Sequence, residues 1–201
     1  MATSLSSEIA AAAARLVVEE GMEYGPAKRK AARTLGRGAT RSVDLPDNDA
    51  VEEEVRDYIA LFCADTQPAE LAALRDLAAE WMQRLADLRP HLAGAVWRGT
   101  ATRLNDVHLE LYCDDAKQAE ITLLDLRIPY EVGSRPGPRG DSVDVLTVGA
   151  RSAALGQPVG VHLSVLDHDD LRGALKADAR GRTQRGDLAA LRRLQAEESP
   201  P

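Results

Sequence analysis

The chain has 201 residues, of which 44% are hydrophobic, 28% are charged and only 3% are aromatic. This is the composition of a globular protein with a largely aliphatic core, and the length suffices for one generous domain or two small ones. The net charge of −7 argues against a general nucleic-acid coat, and the scarcity of aromatic rings argues against single-strand binding by base stacking.

The N-terminal half of the sequence predicts helices. Amphipathic stretches bounded by Gly, Pro or capping residues indicate four of them, over residues 6–21, 26–35, 49–62 and 68–88. The last is the clearest, because its apolar residues recur at three- and four-residue steps until Pro90 ends it. Residues 36–48 are rich in Gly, Pro, Ser, Asp and Asn and indicate a loop.

The second half changes to the two-residue period of strands. Strands are predicted over residues 93–98, 106–113, 128–132, 143–148 and 159–166. Helices are predicted over residues 115–126, after residues 167–170 and from residue 187. We therefore expect an α+β fold with a helical N-terminal region over residues 1–66. Residues 67–201 would form a mixed sheet with flanking helices, without the strict βα alternation of a Rossmann domain.

One stretch stands out for its chemistry, WRGTATRLNDVHLEL, which runs from Trp97 to Leu111. A Gly-Thr turn follows a predicted strand, and Asp106 then opens a strand in which polar and apolar residues alternate. His108 and Glu110 share the face of Asp106, because alternate residues of a strand point the same way. Two carboxylates in this arrangement are able to share one Mg²⁺ ion.

This order of elements resembles the signature of the DNA polymerase β-like nucleotidyltransferase superfamily, over roughly residues 70–150. In that family a small turn after the first strand holds the nucleotide phosphates. Two acidic residues spaced by one then begin the next strand and bind a pair of metal ions, and a third carboxylate comes from a later strand. The resemblance implies that Gly99, Thr100 and Arg103 bind a nucleoside triphosphate.

The resemblance also implies a metal site with Mg²⁺ or Mn²⁺. Asp106 matches the first carboxylate, while the second position is His108, with Glu110 one step further along the same face. Asp144 is the candidate for the third carboxylate. All four are candidate metal ligands, and Asp106, Glu110 and Asp144 are the candidate catalytic residues for transferring a nucleoside monophosphate to an unknown acceptor. The short span from Gly99 to Asp106 leaves little room for the helix that the family places between the two strands.

Other interpretations fit the same residues. The polar side of the strand from Asp106 is also what the solvated face of a half-exposed strand looks like. On that view the protein is a non-catalytic module, and the basic residues between 28 and 41 contact RNA or a protein partner. Arg135 either clamps a triphosphate or keeps a loop hydrated, and His162, in an apolar strand, is interpreted as a core histidine.

The two cysteines, Cys63 and Cys113, are too few for a disulfide framework or a four-thiolate zinc site. Both are flanked by apolar residues and are expected to be buried, reduced thiols. No stretch has the form of a signal peptide or a membrane span, so the expected location is the cytoplasm and no membrane partner is expected.

Overall fold

The computed structural model describes residues 5–35, 45–178 and 181–198. The α-helices in this part of the chain are α1 (Leu5–Glu20), α2 (Tyr24–Thr34), α3 (Asn48–Phe62), α4 (Gln67–Arg84), α5 (Gly94–Arg98), α6 (Lys117–Asp125), α7 (Leu171–Ala174) and α8 (Leu188–Glu198). The strands are β1 (Pro90–Ala93), β2 (Val107–Cys113), β3 (Glu131–Pro136), β4 (Ser142–Ser152), β5 (Gln157–Asp167) and β6 (Arg185–Gly186). The predicted α+β fold class is confirmed.

The chain forms two compact units. The first, here called the helical unit, comprises Met1–Ala69 together with Thr100–Leu104. The second, here called the sheet unit, comprises Glu70–Gly99 together with Asn105–Pro201. The helical unit therefore extends slightly past the boundary expected at residue 66. It also includes the segment Thr100–Leu104 from the middle of the sequence.

The core of the helical unit is built largely from small side chains. Helix α1 buries Ile9, Ala13 and Val17 at four-residue steps, and the alanines allow neighbouring helices to approach closely. Helix α3 begins at Asn48, where the Asp47 carboxylate accepts a hydrogen bond of 2.7 Å from the backbone N–H of Ala50. None of the described helices combines the length and the hydrophobicity required to cross a membrane.

The sheet unit is organised around six strands in the order β3-β4-β5-β2-β1-β6. Strands β2 and β5 run parallel, and the other neighbouring pairs are antiparallel. The apolar stripe predicted for α4 is confirmed, since Leu74 and Ala78 are fully buried. Arg75, on the same helix, is only 2% exposed, and its Nε donates to the backbone carbonyl of Val96 at 3.2 Å.

The prediction of a strand over residues 93–98 was wrong. The strand β1 lies earlier, and Gly94, with φ of +73°, ends it and begins the short helix α5. A six-residue apolar run is too short for its period to distinguish helix from strand. The expectation that the span from Gly99 to Asp106 leaves little room for a helix is confirmed, because the short helix α5 ends at Arg98 and none of the described residues between it and β2 is helical.

The two faces of the sheet differ in polarity. Leu92, Leu109 and Leu163 lie on one face and are completely buried. The register places the alternate residues on the opposite face, here called the polar face: His91, His108, Glu110, Tyr112, Thr147, His162 and Ser164. The apolar face forms the core of the unit, and the polar face carries its chemistry.

Candidate functional site

Asp106 stands immediately before β2 and is held from strand β5. Its Oδ1 accepts a hydrogen bond from the backbone N–H of Gly160 at 2.8 Å, and its Oδ2 lies 3.0 Å from His162 Nε2. The hydrogen bond from His162, assisted by that from Gly160, holds the pKa of Asp106 below its ordinary value, although partial burial opposes the shift. The Asp106 side chain is therefore an anion that stays 46% exposed.

Position 160 has to be glycine for this contact to exist. A Cβ built on Gly160 would lie 2.7 to 2.9 Å from the three carboxyl atoms of Asp106. Its neighbour across the ladder, Gly149, differs, because a Cβ there would meet nothing within 4 Å. The carboxylate of Asp106 thus takes the space that a side chain at position 160 would occupy.

The imidazole of His162 links Asp106 to a residue of strand β4. Its Nδ1 lies 3.0 Å from the hydroxyl oxygen of Thr147, so both ring nitrogens are hydrogen-bonded. The ring of His108, its register partner on β2, stacks on it with centroids 4.8 Å apart and an angle of 24° between the planes. Asp106, His162 and Thr147 therefore form one hydrogen-bonded chain, here called the Asp–His–Thr chain.

Glu110 belongs to a different set of contacts. Arg135 Nη2 lies 3.3 Å from one carboxylate oxygen, and Arg185 Nη1 lies 3.0 Å from the other. The hydroxyl of Tyr112 donates to the latter oxygen at 2.8 Å. Arg135 also donates to the Ser164 hydroxyl at 2.9 Å, so this group, here called the Glu110 cluster, joins strands β3, β5, β2 and β6.

Burial sets the state of the Glu110 cluster. The Glu110 side chain is only 11% exposed, and Tyr112 is completely buried. Burial, reinforced by the neighbouring Glu110 carboxylate, raises the pKa of Tyr112 above its ordinary value, so the phenol stays protonated and serves as a donor. Both oxygens of Glu110 are committed to partners within the protein.

Asp144 is not brought together with the other predicted carboxylates. Its neighbour Val145 pairs with Ser164, which in turn pairs with Glu110, so Asp144 points to the other face of the sheet. There it lines a separate cavity of about 290 Å³ among several other aspartates. The strand beside β2 is β5, and the residue that it places opposite His108 is His162.

The predicted phosphate-binding residues are placed as follows. In the sheet unit, Gly99 ends helix α5 with φ of +80°, and a Cβ there would lie 3.5 Å from Arg75 Nη2. In the helical unit, Thr100 is 3% exposed and its buried hydroxyl has no hydrogen-bond partner among the described residues, while Arg103 is exposed. A helix C-cap accounts for Gly99, whereas the Thr100 hydroxyl still lacks an acceptor or donor.

The donor set of the polar face does not fit Mg²⁺. Among the described residues no group of three or more His, Cys, Asp or Glu side chains is arranged to hold a metal ion. Glu110 is neutralised by two arginines, both nitrogens of His162 are already bonded, and Mg²⁺ favours oxygen ligands in octahedral geometry. The Mg²⁺ or Mn²⁺ cofactor stays a prediction without support from this geometry.

The basic region expected to meet RNA or a protein is described only in part, since residues 36–41 lie outside the described residues. Lys28 donates to the backbone carbonyl of Pro46 at 2.9 Å and to the side chain of Asn48 at 2.8 Å. Lys30 pairs with Glu20 at 2.6 Å. These two cations stabilise the helical unit, and the macromolecular partner stays a prediction.

Neither cysteine forms a disulfide; Cys113 is buried as expected, and Cys63 is only partly buried. No protein-family model matches the chain, and no curated protein is significantly similar to it. Function therefore has to be inferred from the contacts within the two units.

Proposed function

We propose that the chain is a nucleotide-binding protein of nucleotidyltransferase-like architecture that does not carry out two-metal nucleotidyl transfer. The observation that carries the proposal is the order of elements around β2. A strand and then a Gly-Thr turn precede Asp106, which stands immediately before β2, the parallel neighbour of β5, and the short helix α5 lies before the turn.

The residues at the key positions support the absence of two-metal chemistry. Where the resemblance implies a second carboxylate, the chain has His108, and the strand beside β2 contributes His162 rather than Asp144. Two stacked imidazoles replace two carboxylates, and imidazole is a poor ligand for Mg²⁺. The remaining acid, Glu110, is engaged by Arg135 and Arg185.

Nucleotide binding is supported by an unsatisfied polar group. The Thr100 hydroxyl is buried without a partner in the described part of the chain, and leaving such a group unsatisfied costs about 1–3 kcal/mol. A phosphate oxygen is the acceptor that the resemblance implies for this residue, and Arg103 offers an exposed cation three residues away in the same segment.

The test is thermal unfolding with each of the four ribonucleoside triphosphates, with and without Mg²⁺ or Mn²⁺. A triphosphate at about 100 times its dissociation constant is expected to stabilise the fold by about 2.7 kcal/mol. We expect the same shift without metal, and a smaller one in Thr100→Val. Thr122→Val, which removes a hydroxyl that only bonds the Gln118 carbonyl of its own helix, is the matched control and should respond like the wild type.

Each outcome has a meaning. No shift with any triphosphate would refute nucleotide binding and leave a scaffold or a partner-binding module. If the triphosphate stabilised the fold only in the presence of metal, and pyrophosphate were released, the protein would be a metal-dependent transferase and this part of the proposal would be refuted. A cytoplasmic location belongs to the same proposal and is consistent with two cysteines that form no disulfide, because disulfides are rare in that compartment.

A further inference from the structure

The strongest unassigned feature is a surface cavity of about 400 Å³ beside the Asp–His–Thr chain. Thr147, Gly149 and Gly160 contribute to its lining, as do Pro129, Tyr130 and Glu131. Gly149 and Gly160 face each other across the ladder; the space above Gly149 is open, while the Asp106 carboxylate fills the space above Gly160. The cavity is therefore open above Gly149, and Thr147, the hydroxyl-bearing residue of the Asp–His–Thr chain, belongs to its lining.

The two hydrogen bonds of His162 fix which nitrogen is the base. A carboxylate only accepts hydrogen bonds, so Nε2 carries the proton and donates it to Asp106 Oδ2 at 3.0 Å. Nδ1 then has a free lone pair, and the Thr147 hydroxyl, 3.0 Å away, donates to it. With this tautomer the ring is oriented to take the proton of Thr147.

Asp106, the carboxylate of the Asp–His–Thr chain, is also held in place. The Gly160 N–H anchors Asp106 Oδ1 at 2.8 Å, and the missing Cβ at Gly160 makes room for the carboxyl group. The pKa of Asp106 lies below its ordinary value because His162 donates to it, so the group is an anion when a positive charge develops on the ring. Carboxylate, imidazole and hydroxyl stand in the order that nucleophilic catalysis requires.

We propose that the Asp–His–Thr chain makes Thr147 a nucleophile towards small uncharged esters bound in this cavity, independently of nucleotide binding. The volume of the cavity falls within the range of volumes found for small-molecule sites. Pro129 and Tyr130 offer it apolar and aromatic surface. The exposed carboxylate of Glu131 disfavours anionic substrates at its rim.

The step balances without a metal or a redox partner. Thr147 Oγ1 attacks the ester carbonyl carbon and forms a C–O bond while its proton passes to His162 Nδ1. The tetrahedral intermediate expels the alcohol, which takes that proton as the ester C–O bond breaks. A water molecule, deprotonated by the same nitrogen, then attacks the acyl-threonine, and the acid leaves as the Thr147 hydroxyl is restored. His162 and Thr147 are the catalytic residues, and Asp106 is a positioning residue.

The test uses the full chain with p-nitrophenyl acetate, following nitrophenolate release and the intact mass of the protein. General-base assistance contributes about 10²- to 10⁴-fold, so Thr147→Val and His162→Gln should lose at least about 100-fold of the rate above buffer. Thr147→Ser keeps the hydroxyl and should retain activity. Peptide mapping should find the acetyl group on Thr147.

Two further variants separate chemistry from folding. Asp106→Asn should lower kcat with KM unchanged, because the neutral amide no longer stabilises the charged ring but lies outside the substrate contacts. His168→Gln removes an exposed histidine that does not belong to the Asp–His–Thr chain, and this variant should keep wild-type activity. Thermal unfolding of each variant confirms that it is folded. The proposal is overturned if the wild type does not hydrolyse the ester above buffer, if folded Thr147→Val is as active as wild type, or if the acetyl group maps to another residue.

Discussion

Two carboxylates a few residues apart have opposite characters, Asp106 immediately before β2 and Glu110 on the polar face of that strand. Glu110 has both oxygens bound by protein donors, and its side chain is 11% exposed. Asp106 bonds one backbone N–H and one imidazole, and it is 46% exposed beside the strand that lines a cavity. The first is a structural crosslink and the second orients a base. Acidic residues on one strand face therefore have to be judged by their partners as well as by their spacing.

Removing the crosslink gives the largest effect expected from this comparison. Glu110→Ala leaves the guanidinium groups of Arg135 and Arg185 facing each other without an anion. Breaking a buried ion pair costs about 3–5 kcal/mol, and because these arginines are partly exposed we expect about 2–3 kcal/mol from urea unfolding. Glu80→Ala, in an exposed pair with Arg84, is the control and should cost less than about 1 kcal/mol. Equal losses in the two variants would show that the Glu110 cluster is not a crosslink.

A methyl group placed under the other carboxylate is expected to have an intermediate effect. Gly160→Ala forces its Cβ against Asp106, and such overpacking costs about 1–3 kcal/mol. Gly149→Ala, at the paired position on β4, meets open space and should change the free energy of unfolding by less than about 0.5 kcal/mol. Urea unfolding of the pair measures the difference directly. If the two alanine variants were equally stable, the close approach of Asp106 to position 160 would be refuted.

The smallest effect on the free energy of unfolding is expected from removing the charge of Asp106. Because its pKa is lowered in the folded state, the ionised group stabilises the fold at any pH above its unfolded value, near 3.8. That contribution is lost as the pH falls through the lowered folded value. Asp106→Asn should therefore be less stable than wild type at neutral pH by under about 1 kcal/mol, with the difference vanishing in acid. Unfolding curves over a pH series check this, and a difference that grows in acid would contradict it.

The parts of the fold that sequence patterns captured are the local ones. The apolar stripe on α4 repeats over many residues and was predicted correctly, and the alternating sequence of β2 placed that strand correctly, although six of its seven residues are buried. Residues 93–98 failed because a short apolar run has no readable period, and only the positive φ of Gly94 reveals where the strand ends. Residues 36–44, which include the second part of the N-terminal basic region, lie outside the described part of the chain.

The candidate site depended on pairings that no local pattern contains. Asp144 sits between Val143 and Val145 in sequence, but its strand is separated from β2 by β5 and its side chain points the other way. His162 looked like a core residue because its neighbours are apolar, and it gains its role only when β5 aligns beside β2. A histidine at the centre of an alternating strand was the available signal, since alternation assigns it to the polar side.

Gly160 shows how a site constrains positions that carry no chemistry. Its backbone conformation is ordinary for a strand, so glycine is not required there by φ or ψ. What excludes a side chain is a carboxyl group from a residue far away in the sequence. Substitutions at positions 106 and 160 are therefore not independent in evolution. A lineage that lost the aspartate would be free to fill position 160, and once filled, that position would bar the aspartate from returning.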